Sequence, residues 1–239
     1  MSDLPAEFDC TIPDWDYVDR RSRDLAGAVR DSPFDPETVV ALARGGWVVA
    51  RTCCDLLGVD DLTSLKVEHY VGTAEQGEQA RVRYPLPDGA VAGKDVLVVD
   101  DIVDTGESLR TAVDAVTERD PDTVRTATLQ SLPTSGFDPD FVGERLDEWT
   151  WVVYPWNFVE NMVELVAGAL DADGRETATA EEVRRLLAEY HDIGRTELEV
   201  AQPGRLREVL DEATRRGVLE RVDAAESSAD PEWRLADKG

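Results

Sequence analysis

Lysine is nearly missing from this chain. Of 25 basic residues only three are lysines (Lys66, Lys94 and Lys238), and the rest are arginines. Against them stand 51 acidic residues, for a net charge of −26. The acids are spread along the chain rather than gathered in a tail. A dispersed acidic surface with Arg in place of Lys is the composition expected of a halophile protein built for molar salt. At about 1 M salt the Debye length falls to roughly 3 Å, and such self-repulsion is screened. The same imbalance argues against a general nucleic-acid binder, which needs a basic face.

Long apolar runs are also lacking. No stretch approaches the roughly 18 consecutive apolar residues of a membrane helix. The N-terminal Met1-Ser-Asp-Leu-Pro-Ala-Glu7 has neither a basic start nor an apolar core, so a secretory signal is not expected. Both absences point to the cytoplasm. Cysteine is scarce and odd in number: Cys10, Cys53 and Cys54, with no Cys-x-x-Cys pair. That pattern fits reduced, buried thiols and no zinc site. Cys53 and Cys54 are adjacent on an expected helix, with one more buried than the other.

What is present suits one α/β domain with a full core and a small appendage, in 239 residues. A helix is predicted over 14–30, with Asp14 as N-cap and Tyr17, Val18, Leu25 and Val29 on its apolar face. Ser32–Pro36 reads as a turn. Thr38–Ala43 is a short apolar run, a buried strand. It ends at Arg44-Gly45-Gly46, and a helix follows through Leu57. Leu65–Tyr70, Val96–Val99, Val124–Leu132 and Thr150–Tyr154 read as further strands. Gly72–Ala80 is polar and suggests a mobile loop, with Arg81–Tyr84 its returning strand. Leu109, Ala112, Val113 and Val116 give a helix its apolar face. Strands alternating with helices imply a largely parallel sheet covered on both faces.

A boundary is expected at Asp171–Gly174, separating a domain at 1–170 from an extension at 175–228. In the extension, Thr179-x-x-Glu182 is a capping box opening a helix. Thr196-x-x-Glu199 suggests a second helix, and Leu206, Val209, Leu210 and Ala213 mark a third. With a short strand at Val218–Val222, this resembles a winged-helix module. The last dozen residues are expected to fray.

The most informative run is Val96-Leu-Val-Val-Asp-Asp-Ile-Val-Asp-Thr-Gly-Glu-Ser-Leu109. A buried strand delivers Asp100 and Asp101 to the carboxyl edge of the sheet, where open α/β folds bind ligands. Asp104-Thr105-Gly106-Glu107-Ser108 then turns into a helix N-terminus, whose amides and dipole suit a phosphate. Gly106 permits close approach, and Thr105 and Ser108 add hydroxyl donors. Acids beside a phosphate cradle make sense if the ligand also presents ribose hydroxyls and a Mg²⁺ ion.

This run resembles the signature by which type I phosphoribosyltransferases bind phosphoribosyl pyrophosphate (PRPP): four apolar residues, two acids, two apolar residues, then Asp-Thr-Gly-x-Ser/Thr. The resemblance implies that fold and the transfer of a phosphoribosyl group to a nucleobase. It implies that Asp100 and Asp101 hold the ribose hydroxyls and help place Mg²⁺, and that 104–108 hold the 5-phosphate. Asp104 would handle the proton on the base. Arg44-Gly45-Gly46 resembles the family's pyrophosphate loop. Trp149-Thr-Trp-Val-Val-Tyr-Pro-Trp156 is similar to the aromatic hood of bacterial and archaeal xanthine–guanine enzymes. There Trp151 would stack on the base and the Val152 main chain would read its edge. One departure stands out. Where those enzymes have Lys-Pro, the lysine meeting a purine oxygen, this chain has Leu132-Pro133. Gln130 and Ser131 are alternative donors, or else the base is not a 6-oxopurine. A homo-oligomer, dimer or tetramer, is also implied. Two alternatives stay open: a non-catalytic PRPP or nucleotide sensor on the same fold, and a transferase for another base such as adenine.

Overall fold

The computed structural model describes residues 5–71, 78–222 and 230–236. It divides into two compact units. One is Asp16–Trp149, and the other joins Met1–Trp15 to Thr150–Gly239. This division differs from the one expected at 170/175.

The first unit is built on a six-stranded sheet. Helix α1 (Trp15–Arg30) leads into strand β2 (Thr38–Ala43), helix α2 (Gly46–Leu57) and strand β3 (Asp61–Val71). Strands β4 (Glu78–Tyr84) and β5 (Asp95–Val103) follow, then helix α3 (Glu107–Thr117) and strands β6 (Thr123–Ser131) and β7 (Phe141–Arg145). The sheet order is β4-β3-β2-β5-β6-β7, and only the β3–β4 pair is antiparallel. Helices α2 and α3 make the crossovers from β2 to β3 and from β5 to β6, while β6 reaches its parallel neighbour β7 through a loop. In β2 and β5 both faces are apolar. Val40, Leu42, Val96 and Val98 pack with Leu109, Ala112 and Val116 of α3. By strand alternation Val39, Ala41, Leu97 and Val99 point to the opposite face, and all four are buried. Thr38–Ala43 was legible because such a run has nowhere to sit but the middle of a sheet. Residues 72–77 of the anticipated loop lie outside the described residues, and β4 already begins at Glu78.

The second unit pairs β1 (Cys10–Thr11) with β8 (Trp151–Val152) in parallel. The strand expected over Thr150–Tyr154 is thus two residues long. Helix α4 (Phe158–Asp173) follows, then β9 (Ala178–Thr179) and helices α5 (Ala180–His191), α6 (Arg195–Ala201) and α7 (Leu206–Arg215). Strands β10 (Leu219–Val222) and β11 (Glu232–Leu235) complete a small sheet of order β10-β11-β9. Its core gathers Met162, Val166 and Leu170 of α4 with Leu186, Leu187, Val209 and Leu210. Helix α4 thus belongs by packing with the residues after 175.

The capping box at Thr179 is formed in both directions: Thr179 Oγ1 accepts from Glu182 N, and Glu182 accepts from the Thr179 amide at 2.8 Å. Helix α6 instead starts from Gly194, ahead of the expected Thr196. The expected fraying is corrected at 232–235, where β11 pairs on both sides and carries Trp233 fully buried. Burial of the Trp233 ring offsets part of the cost of ordering this polar segment.

Candidate active site

The site residues of the first unit come from two neighbouring strands. Strands β2 and β5 pair in parallel, with Ala41 opposite Val99. They therefore release Arg44-Gly45-Gly46 and Asp100-Asp101 side by side at one sheet edge. The two glycines are required by that closeness. A β-carbon on Gly45 would lie 2.2 Å from Oδ2 of Asp101. One on Gly46 would lie 2.4 Å from the Val99 carbonyl and 3.0 Å from Asp100 Cα. The Ala43–Arg44 peptide is cis.

Each acid also braces the local backbone. Asp100 Oδ1 accepts from the Asp101 amide, and Asp101 Oδ1 from the Ile102 amide, both at 2.9 Å. Burial, and then the adjacent Asp101 carboxylate, push the Asp100 carboxyl well above the usual range. Two carboxylates held this close disfavour each other's ionisation unless a cation joins them. No cluster of three or more metal-ligating side chains exists among the described residues. The pair fits Mg²⁺ in the manner usual for that ion, through one or two carboxylates completed by water and substrate oxygens.

Past β5 the chain turns through Asp104 and Thr105 into Gly106, whose φ of 86° suits glycine. Gly106 holds the N-cap position of α3 and offers no capping side chain, so the positive end of the helix faces the turn. A β-carbon there would also meet Phe137 Cβ at 2.3 Å. Phe137 belongs to a segment that sequence reasoning missed. Gly136 N donates to the Thr105 carbonyl at 3.2 Å, Arg110 to the Gly136 carbonyl at 3.0 Å, and Thr134 Oγ1 to Asp104 Oδ1 at 2.6 Å. The Pro133-Thr-Ser-Gly136 composition is that of a turn, a signal that carries no sign of its target.

Leu132 is buried and lines a cavity of about 410 Å³ with Pro133, Phe137, Arg145 and Leu146. The amide of Gln130, considered above as a substitute donor, lies 2.6 Å from the Tyr17 hydroxyl and 3.3 Å from Glu144. Tyr17 also donates to Glu144, which pairs with Arg21 at 2.9 Å. Burial and the Glu144 carboxylate hold the Tyr17 phenol above its ordinary range.

In the second unit Trp151 is half-buried against the apolar core and meets Phe8 edge-on, with centroids 6.4 Å apart. The pairing to β1 uses the amides of Trp151 and Val153, which donate to the carbonyls of Asp9 and Thr11. The Val152 main chain therefore faces the other edge of β8. Tyr154 and Trp156 stack at 4.5 Å with 9° between planes, and Trp156 is 6.0 Å from Trp15. Trp156 is thus an aromatic-cluster residue.

Residues 12–160 match the family model described as the phosphoribosyl transferase domain. The chain belongs to the type I phosphoribosyltransferase family. The match spans the glycine loop at 44–46, the paired acids, the turn at 104–108 and the aromatic segment. Among curated relatives, the xanthine-guanine phosphoribosyltransferase of Roseobacter denitrificans is 30% identical over 176 residues, covering 70% of this chain and 96% of that one. The human phosphoribosyltransferase domain-containing protein 1 is 25% identical over 169 residues, covering 64% and 74%. Among solved structures, the purine phosphoribosyltransferase of Pyrococcus horikoshii is 28% identical with a TM-score of 0.55, covering 62% of this chain and 93% of that one. The phosphoribosyltransferase fold is therefore the frame in which these loops sit. No helix among the described residues is long and apolar enough to cross a membrane.

Proposed function

We propose that this phosphoribosyltransferase moves the phosphoribosyl group of PRPP to a purine base, giving a nucleoside 5-monophosphate and pyrophosphate. The observation that carries this is the packing of Gly45 and Gly46 directly on the Asp100–Asp101 pair. Backbone amides for a pyrophosphate thereby stand next to carboxylates for ribose hydroxyls. Arg44 supplies positive charge to the leaving group. Asp104, Thr105, Gly106, Glu107 and Ser108 cradle the 5-phosphate at the start of α3. Mg²⁺, held through Asp100 and Asp101, would neutralise charge on the pyrophosphate. As the base nitrogen bonds to C1 of the ribose, the C1–pyrophosphate oxygen bond breaks, and the nitrogen's proton passes to the Asp104 carboxylate. Trp151 would stack on the base, while the unpaired edge of Val152 reads it.

The purine assignment draws on the names of the relatives, and the buried Leu132 argues against a lysine-type contact to a purine oxygen. A panel of guanine, xanthine, hypoxanthine and adenine with PRPP and Mg²⁺ in high salt tests it. Nucleotide should form with at least one purine and fail with EDTA. Asp104→Asn should lower turnover by about 10²-fold or more. An intact enzyme inert to all four bases overturns the proposal.

A PRPP-gated sensor is the second reading, favoured by the winged-helix-like order of the C-terminal elements. Three arginines in and beside α7 are paired with acids: Arg205 with Glu208, and Arg215 and Arg216 with Glu212. Such a face does not suit DNA.

A further inference from the structure

We propose that Thr134 is the positioning residue for Asp104, holding the carboxylate in the direction from which it takes the base proton. This rests on the transferase reading above. The Thr134 hydroxyl donates to Oδ1 of Asp104 at 2.6 Å across 30 residues of sequence. No other hydrogen bond to Asp104 is made among the described residues. A lone hydrogen bond between exposed side chains is ordinarily weak, because both ends must be ordered to make it. Here both ends are ordered already. The turn carrying Thr134 is fixed on either side of Asp104. Leu132 N donates to the Val103 carbonyl at 2.9 Å, one residue before Asp104. Gly136 N donates to the Thr105 carbonyl at 3.2 Å, one residue after it. Ser135 N closes the turn on the Leu132 carbonyl at 3.2 Å, and Arg110 clasps Gly136 from α3.

Between these anchors Thr134 has a branched β-carbon that restricts χ1, so the hydroxyl is presented from a narrow range of directions. A carboxylate has two oxygens. With Oδ1 occupied, rotation about the side chain is limited and Oδ2 is left as the oxygen to take the proton. Proton transfer depends steeply on that geometry. Apolar Leu132 and polar Thr134 thus divide the turn. The first closes the cavity wall, and the second aims the acid–base group.

The test is a double-mutant cycle on the full chain, with PRPP, Mg²⁺ and the best purine of the panel. Thr134→Val keeps shape and removes the donor. It should lower kcat by about tenfold and leave KM for PRPP within about twofold, because the phosphate turn itself is untouched. Thr134→Ser should recover most of the loss, since it restores the hydroxyl. In the Asp104→Asn background Thr134→Val should have almost no further effect. An active wild type with an unaffected Thr134→Val variant overturns this role and leaves the function standing. An equal loss in both backgrounds also overturns it, since Thr134 then acts elsewhere. A wild type that transfers nothing overturns the function and this role together.

Discussion

Gly45 and Asp101 come so close that a single added carbon would collide with the carboxylate, at 2.2 Å from Oδ2 and 2.5 Å from Cγ. Gly46 is as tightly placed, but against backbone, the Val99 carbonyl. The difference predicts two phenotypes. Gly45→Ala should push the Asp101 side chain aside, weakening PRPP binding by about tenfold or more with a modest change in melting temperature. Gly46→Ala should cost about 1–3 kcal/mol of stability, because backbone must move. Titration calorimetry with PRPP and urea denaturation measure the two. The same phenotype from both substitutions would refute the distinction.

Asp100 predicts a conflict between stability and function. Its folded-state carboxyl is raised above 3.8 by burial and by Asp101, so the folded state disfavours its ionised form. The penalty is absent well below the unfolded value and grows as pH rises past it. Asp100→Asn should therefore raise the melting temperature of the ligand-free protein at neutral pH, while abolishing most turnover. The Asn side-chain oxygen can still accept from the Asp101 amide. A lower melting temperature at pH 7 would show that the pair is not strained.

His191 predicts a different pH response in the second unit. It is buried against Phe8, with ring centroids 4.6 Å apart, and burial holds its pKa below 6.5. The unfolded chain thus binds a proton before the folded chain does. Stability from this residue is intact above pH 6.5 and declines as pH falls below that value toward the lower folded pKa. His191→Phe should flatten the urea midpoint between about pH 7 and pH 5 relative to wild type. Parallel profiles for the two proteins would remove His191 as the cause.

The net charge of −26 predicts a salt requirement. Raising KCl from about 0.2 M to about 3 M should raise the melting temperature, as screening relieves repulsion among the acids. A flat or falling curve would remove the halophile expectation.

The thiols predict chemical silence. Cys53 and Cys54 both lie buried, and Cys54 is the less so, at 5% exposure against 0%, in the order expected on α2. Burial pushes the Cys10 and Cys53 thiols up to about 12. Since thiolate is the reactive form, none of the three should react with an aromatic disulfide reagent until the protein unfolds. Fast labelling of the native protein would contradict this.

Local sequence determined much of this molecule. Two-faced apolar runs can be satisfied only inside a sheet, which is why Thr38–Ala43 and Val96–Val99 were legible as strands, though β5 extends to Val103. The turn Asp104–Ser108 was legible as a helix start because its glycine directly precedes the apolar face of Leu109, Ala112 and Val116. The capping box at Thr179 is local by nature, closed within one helical turn. The tertiary structure decided what depends on distant partners. The alternation of Glu232–Leu235 is only four residues long and sits near the chain end, so its order rests on pairing with β10 and β9 and on one buried tryptophan. Helix α4 joins the residues after 175 because its apolar side chains find partners on α5 and α7, a choice of neighbours that sequence does not encode locally. The bond from Thr134 to Asp104 spans 30 residues. It arises because β5 and β6 run parallel and release their loops at the same sheet edge. Chain geometry brought those two residues together, and nothing in either residue's own neighbourhood announced it.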